Sequence, residues 1–206
     1  MNDQEEFTQA LRAACGGLPL SGEQIDRFYR HLELLRHWNR RINLTRVITA
    51  AEAAQRHYAE SVLVANRIEN GDSPVLDMGS GAGFPGIPVA ILHPSLAVTL
   101  LESDKRKAAF LREAIDGLPN ASVEAVRSND YAGREGTLTA RGVRWEDLWS
   151  LIRRLPTLQR GVVICGRTDA EAFGKVMGIR VLGMDSVPWA AGRVVFQFHV
   201  ERLRGS

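Results

Sequence analysis

The sequence predicts an α/β fold: a mainly parallel sheet of seven strands, entered through a helical N-terminal extension. Three observations predict it. From Val75 onward, short apolar runs alternate with amphipathic stretches, the pattern of strand–helix–strand units joined by right-handed crossovers. The first run, Val75-Leu76-Asp77-Met78, ends in an acid and opens into Gly79-Ser80-Gly81-Ala82-Gly83. Before residue 70, the apolar residues recur at helical spacing.

Residues from about Phe7 to Gly17 predict a short helix ended by Gly16-Gly17. Ser21 with Gln24 reads as a capping box for a second helix, whose stripe is Ile25, Phe28, Tyr29, Leu32 and Leu35. Trp38 to Thr45 is an Asn-rich turn. Thr49 with Glu52 reads as another capping box, opening a helix from Ala50 to about Arg67 with Ala54, Tyr58, Val62 and Ala65 inward. His57 and Ser61 lie one turn apart there, but no elbow or paired acid makes that serine a nucleophile. Asn70-Gly71-Asp72-Ser73-Pro74 is read as a linker, dividing a helical extension (1–70) from the α/β part (71–206).

Strands follow at Val75–Met78, Ala97–Glu102, Ser122–Arg127, Thr137–Ala140 and Gly161–Cys165, with two more near Ile179–Leu182 and Arg193–Val200. Between them a helix starts near Pro85, where a missing N–H costs nothing. Asp104 caps the next, running to about Ile115 with Lys105, Arg106, Lys107 and Arg112 outward. Arg144 to Leu155 is amphipathic, with Trp145, Leu148, Trp149 and Ile152 inward, and Thr168 with Glu171 caps a short helix to about Met177.

The chemistry is expected at the glycines. Gly79, Gly81 and Gly83 permit positive φ and leave no Cβ between backbone and ligand, and the following helix start offers unpaired N–H groups. Dinucleotide enzymes write this turn G-x-G-x-x-G, with pyrophosphate on the helix start. Here the pattern is D-x-G-x-G-x-G, and Asp77 would repel a pyrophosphate but suits a cation. S-adenosylmethionine carries an ammonium beside a sulfonium. Glu102, also at a strand end and about 20 residues beyond the turn, stands where a ribose-binding carboxylate belongs. A nicotinamide-dependent dehydrogenase is the enzymatic rival, disfavoured by the acid and the glycine spacing.

Composition bounds the rest. The chain has 206 residues, 45% of them hydrophobic, and a net charge of only +2, so any nucleic-acid surface must come from local clustering. One cluster exists: six arginines from Arg27 to Arg46 against Glu33 alone. Cys15 and Cys165 lie far apart without metal-ligand spacing, so reduced thiols and no metal site are expected. The polar, acidic start and the lack of a membrane-length apolar run predict a cytoplasmic protein without a membrane partner. A monomer is the working expectation, although the sequence itself does not give the oligomeric state.

Three motifs together resemble the small-subunit ribosomal RNA methyltransferase G family, also called glucose-inhibited division protein B. They are Trp38-Asn39 with Ile42-Asn43-Leu44-Thr45 and Arg56-His57, the run Asp77 to Pro88, and Phe110-Leu111-Arg112 after a basic stretch. The resemblance covers residues from about 20 to 130. It implies a class I S-adenosylmethionine-dependent methyltransferase fold, with S-adenosylmethionine as donor and guanine N7 of 16S ribosomal RNA as acceptor. By position, Gly79 and Phe84 fall on the family's cofactor contacts at the turn, Asp130 and Tyr131 on its adenine side, and Arg141 on its active-site arginine, which also borders the cofactor. Arg40, Arg41, His57, Lys105 and Lys107 are the expected RNA contacts. The C-terminal third departs from the family pattern: Ser128-Asn129, Glu135-Gly136, Ala140-Arg141-Gly142 and Gly166-Arg167 replace its usual pairs and triplet. A divergent cofactor-binding, RNA-associated protein with another target or little transfer activity is therefore the alternative.

Overall fold

In this computed structural model, residues 2–69 and 74–202 are described. The strands are β1 (Val75–Met78), β2 (Val98–Leu101), β3 (Ala121–Glu124), β4 (Thr137–Arg141), β5 (Arg160–Gly166), β6 (Ile179–Ser186) and β7 (Arg193–Val200). They form one sheet in the order β3-β2-β1-β4-β5-β7-β6. The four pairings among β1 to β5 are parallel, with Val75 opposite both Val98 and Thr137. β7 runs antiparallel between β5 and β6. The return strand therefore pairs ahead of the strand that precedes it, and Arg193, at its start, stands beside Gly166 at the end of β5.

Side chains alternate along the strands, so each buries one set on each face. Val75, Val98, Leu100, Val162 and Ile164 belong to one hydrophobic cluster; Leu76, Leu101, Leu138, Val163 and Phe196 belong to the other. The first face carries α1 (Asp3–Ala14), α2 (Gly22–Asn39) and the Ala50–Ala65 rod described below. It also carries α5 (Gly86–Leu92) and α6 (Lys105–Ala114). The second carries α7 (Trp145–Arg154) and α8 (Arg167–Phe173). Phe7, Phe28 and Tyr58 of the extension share their cluster with Phe84, Ile87 and Phe110, so the extension packs as a layer on the sheet. The linker expected at residues 70–74 lies outside the described residues except for Pro74.

The Ser21–Gln24 capping box and the Asp104 cap form as the sequence predicts. The helix α1 starts earlier than expected, at Asp3, because Asn2 and Glu5 make a capping box of their own. Two expected boxes do not form. Glu52 reaches forward to Arg56 (2.7 Å) instead of back to Thr49. Thr168 lies inside α8, whose N-cap is Gly166. The third helix is one rod in three pieces: α3 (Ala50–Ala53), a π-helical segment Ala54–Ala59, and α4 (Glu60–Ala65). Such widened turns cluster at functional sites, and this one carries Arg56 and His57.

Candidate active site

The glycine turn sits at the C-terminal ends of β1 and β2, where ligands bind in open α/β sheets. Gly79, Gly81 and Gly83 all take positive φ (69°, 56° and 86°). The N–H groups of Gly79 and Ser80 donate to the Leu101 carbonyl (2.9 and 3.1 Å), tying the turn to β2. Glu102 completes the tie: Gly81 N donates to its Oε2 (3.0 Å) and Asp104 N to its Oε1 (2.8 Å). Two backbone donors thus hold this carboxylate in one orientation, and each oxygen keeps accepting capacity.

Asp77 is fully buried. Gly86 N donates to its Oδ2 (3.1 Å), while Oδ1 has no partner among the described residues. Burial pushes its carboxyl up to about 7, against the lowering effects of Ser80, the Gly86 N–H and Arg141. A Cβ on Gly86 would stand 2.5 Å from Asp77 Oδ2 and 2.3 Å from Leu100 Cδ2, so only glycine lets the helix start approach the acid. An orphaned carboxylate oxygen beside a glycine turn fits a cationic group.

Beside the turn lies a second cluster, built around the Phe84 ring. His57 stacks on that ring (4.6 Å between centroids, 23°), Tyr58 meets it edge-on (5.0 Å), and the Arg141 guanidinium lies 5.2 Å from its centroid. Arg141 donates to the Arg56 carbonyl (2.7 Å) and to Glu60 Oε2 (3.4 Å), and contacts His57 Nδ1 (2.9 Å). Glu60, whose side chain is 1% exposed, also holds Arg193 (3.2 Å). Burial, and then the Arg141 charge, push the His57 ring down to about 3, so it is neutral. With Arg141 donating to Nδ1, the ring proton sits on Nε2 and donates to Thr45 Oγ1 (2.9 Å). Burial raises the Glu60 carboxyl and lowers Arg141, while each partner's charge opposes the shift.

The residues expected from sequence fall into three groups. Asp77, Gly79, Gly81, Gly83 and Glu102 come together at the turn, with Phe84 and Arg141 alongside. Asp130 is exposed in a 3-10 turn (Ser128–Asp130), while Tyr131 points inward and its hydroxyl donates to Glu135. Glu135 also accepts from Thr99 (2.9 Å), and Arg154 pins the segment through the carbonyls of Ser128 and Tyr131. The Tyr131 ring is thus structural, leaving its main chain for any ligand. Arg40, Arg41 and Lys105 are exposed and Lys107 is half-buried. Arg27 bonds the Gly117 carbonyl and Trp38 bonds Glu113, so α2 lies beside α6 and its last turn, just before Arg40-Arg41, sits against the last turn of α6.

His57 is a correction. It is 5% exposed, neutral and hydrogen-bonded on both nitrogens, so it positions Arg141 and offers nothing to a phosphate. Sequence reasoning missed Glu60, although an acid on the inward side of a helix was a usable signal. It missed Arg193 too, for which no local signal exists, because only the strand order brings it to the site.

A cleft of about 470 Å³ opens at the C-terminal ends of β4 and β5, lined among others by Gly142, Val143, Trp145, Asp169 and Arg193. It adjoins the glycine turn: a Cβ on Gly79 would meet Val143 Cγ2 at 3.0 Å.

A family model described as rRNA small subunit methyltransferase G matches residues 24–155. Proteins named ribosomal RNA small subunit methyltransferase G are similar to this chain. The one from Roseiflexus castenholzii is 43% identical over 131 residues, covering 62% of this chain and 55% of that protein. The one from Solibacter usitatus is 44% identical over 147 residues, covering 69% and 68%. The chain spans about half the length of several curated relatives it matches. Among solved structures, a ribosomal protein L11 methylase from Lactobacillus delbrueckii subsp. bulgaricus superposes with a TM-score of 0.59 at 14% identity, covering 72% of this chain and 80% of that one. The M. jannaschii TYW2 structure in complex with AdoMet superposes with a TM-score of 0.56 at 18% identity, covering 80% of each chain.

Proposed function

The chain belongs to the rRNA small subunit methyltransferase G family and has the class I methyltransferase fold. From that premise we propose that it transfers a methyl group from S-adenosylmethionine to guanine N7 of 16S ribosomal RNA. One observation carries the reading: two buried carboxylates, Asp77 with an unpartnered oxygen and Glu102 clamped by backbone donors, flank a turn of three positive-φ glycines.

When bound, the donor supplies a methyl already activated on a positively charged sulfur. Asp77 faces its cationic end, and Glu102 takes the ribose hydroxyls with the accepting capacity that Gly81 and Asp104 leave. Gly79 and Gly81 let the backbone close on it, and Asp130 with the Tyr131 main chain borders the adenine. Guanine N7 has a lone pair and no proton, so no general base is required. Catalysis is alignment, with reacting atoms about 3–3.5 Å apart. That places the demand on Arg141, whose guanidinium is fixed by the Arg56 carbonyl, Glu60 and His57. It keeps two of its five N–H donors for the acceptor's guanine or phosphate. Arg40, Arg41, Lys105 and Lys107 hold flanking phosphates. No helix among the described residues is long and apolar enough to cross a membrane. We place the protein in the cytoplasm, working as a monomer on 16S RNA or the small subunit.

Incubation with a labelled methyl donor and small ribosomal subunits or bare 16S RNA tests this. Label in the RNA, lost in Arg141→Ala, supports it. The family match ends at residue 155, before Arg193 and the last strands, and this favours one second reading, cofactor binding without transfer to this RNA. Tight donor binding with no label in either RNA form would select it.

A further inference from the structure

We propose that the cleft at the ends of β4 and β5 is the pocket for the acceptor base, with Asp169 and Arg193 selecting guanine. The inference rests on the methyltransferase reading and extends it to residues outside the family match.

Position comes first. Val143 lines the cleft and stands against Gly79 of the turn, so a base seated there lies one strand over from the methyl donor. An enzyme acting on a base edge must take an unstacked base into a pocket. Trp145 supplies a fixed aromatic wall: it is half-buried, lines the cleft, and lies flat against Phe173 (4.3 Å, 17°). Gly142 faces open space, with no atom within 4 Å of an added Cβ.

Chemistry follows from what converges on Gly166. Asp169 Oδ2 lies 3.0 Å from the Cβ position there, and Arg193 pairs with Gly166 across the strands. Asp169 is exposed, and among the described residues no hydrogen bond or ion pair engages its carboxylate. Arg193 is held from behind by Glu60 (3.2 Å), the same buried carboxylate that holds Arg141. An acceptor-only group beside a donor-only group matches the guanine edge that carries N1–H, the N2 amino group and O6. The carboxylate takes the two donors and the guanidinium takes O6. N7 lies on the adjoining edge, next to O6, left unbonded and turned toward the donor. Adenine offers N6 amino and N1 acceptor there, which leaves Asp169 facing a lone pair. Glu60 is then a positioning residue for both arginines.

The test uses 16S RNA in which the mapped acceptor guanine is replaced by inosine, which lacks only the N2 amino group. Wild-type protein is expected to lose about tenfold in kcat/KM on the inosine substrate. Asp169→Ala is expected to lose about tenfold on guanine and to treat the two substrates alike, with donor affinity unchanged. Arg193→Lys lowers kcat/KM several-fold on both substrates. Glu146→Ala, the other carboxylate lining the cleft, leaves the discrimination intact. If Asp169→Ala still discriminates as the wild type does, or Glu146→Ala is the variant that stops discriminating, the assignment is overturned while the methyltransferase reading stands. If wild-type protein methylates no guanine, both fall.

Discussion

Asp77→Asn separates what the acid costs the fold from what it does for the ligand. A buried carboxyl raised from 3.8 to about 7 resists ionisation by about 4 kcal/mol, at 1.36 kcal/mol per tenfold. Because the folded pKa exceeds the unfolded one, the folded state binds more protons between about pH 4 and pH 7. Stability therefore falls as pH rises through that window and is flat above it. Asparagine cannot ionise and keeps an oxygen for Gly86 N, but its amide donors go unpartnered at a cost of about 1–3 kcal/mol. At pH 8 the variant should gain about 1–3 kcal/mol, and about 2 kcal/mol corresponds to roughly 4–8 °C in Tm for a chain of this size. At pH 4, where both side chains are neutral, it should be the less stable protein. Donor affinity at pH 8 should fall about tenfold, the value of about 1.4 kcal/mol of lost charge attraction. Thermal unfolding at the two pH values and a calorimetric titration read all three. Parallel pH profiles for variant and wild type, or a variant that binds the donor undiminished, would refute the reasoning.

Other expectations concern the neighbouring clusters. Glu60→Gln leaves Arg141 and Arg193 without their shared counter-charge and should cost about 3 kcal/mol, discounted for the partial exposure of Arg193 and read as urea denaturation. The quadruple alanine variant at Arg40, Arg41, Lys105 and Lys107 should weaken RNA binding and flatten its log–log salt slope by about 3, with donor affinity unchanged in the same titration. His31 is buried against Tyr58 (2.9 Å) and pushed down to about 4 by desolvation. Its folded pKa lies below the unfolded one, so its contribution is lost as pH falls from about 6.5 to 4. His31→Phe should be less stable by about 1–3 kcal/mol at pH 7, with the gap closing over that window in thermal melts.

The sequence made the sheet and the turn legible because both rest on local rules. Val75–Met78 is the strand as predicted, and Glu102 sits at the end of β2 against Gly81. Ser21 and Asp104 cap as their local patterns require. What stayed hidden depends on contacts between distant residues. Glu52 had a rival partner in Arg56. The widened turn at Ala54–Ala59 breaks the 3.6-residue period only slightly, yet it presents the Arg56 carbonyl to Arg141. His57 sits in a family motif and looks available for RNA, but Phe84, nearly 30 residues on, covers its ring. Tyr131 was expected to face a ligand, and an acid four residues later draws its hydroxyl inward. Arg193 joins the site only because β7 inserts between β5 and β6.

The central claim is that the acid-flanked glycine turn delivers a methyl group to a guanine N7. The most direct measurement is borohydride–aniline scission of 16S RNA after incubation with protein and donor, since that treatment cuts at 7-methylguanosine. The account predicts a single new cleavage site, absent when donor is omitted and in Arg141→Ala. Labelled RNA that resists scission, or RNA that gains no label, would contradict it.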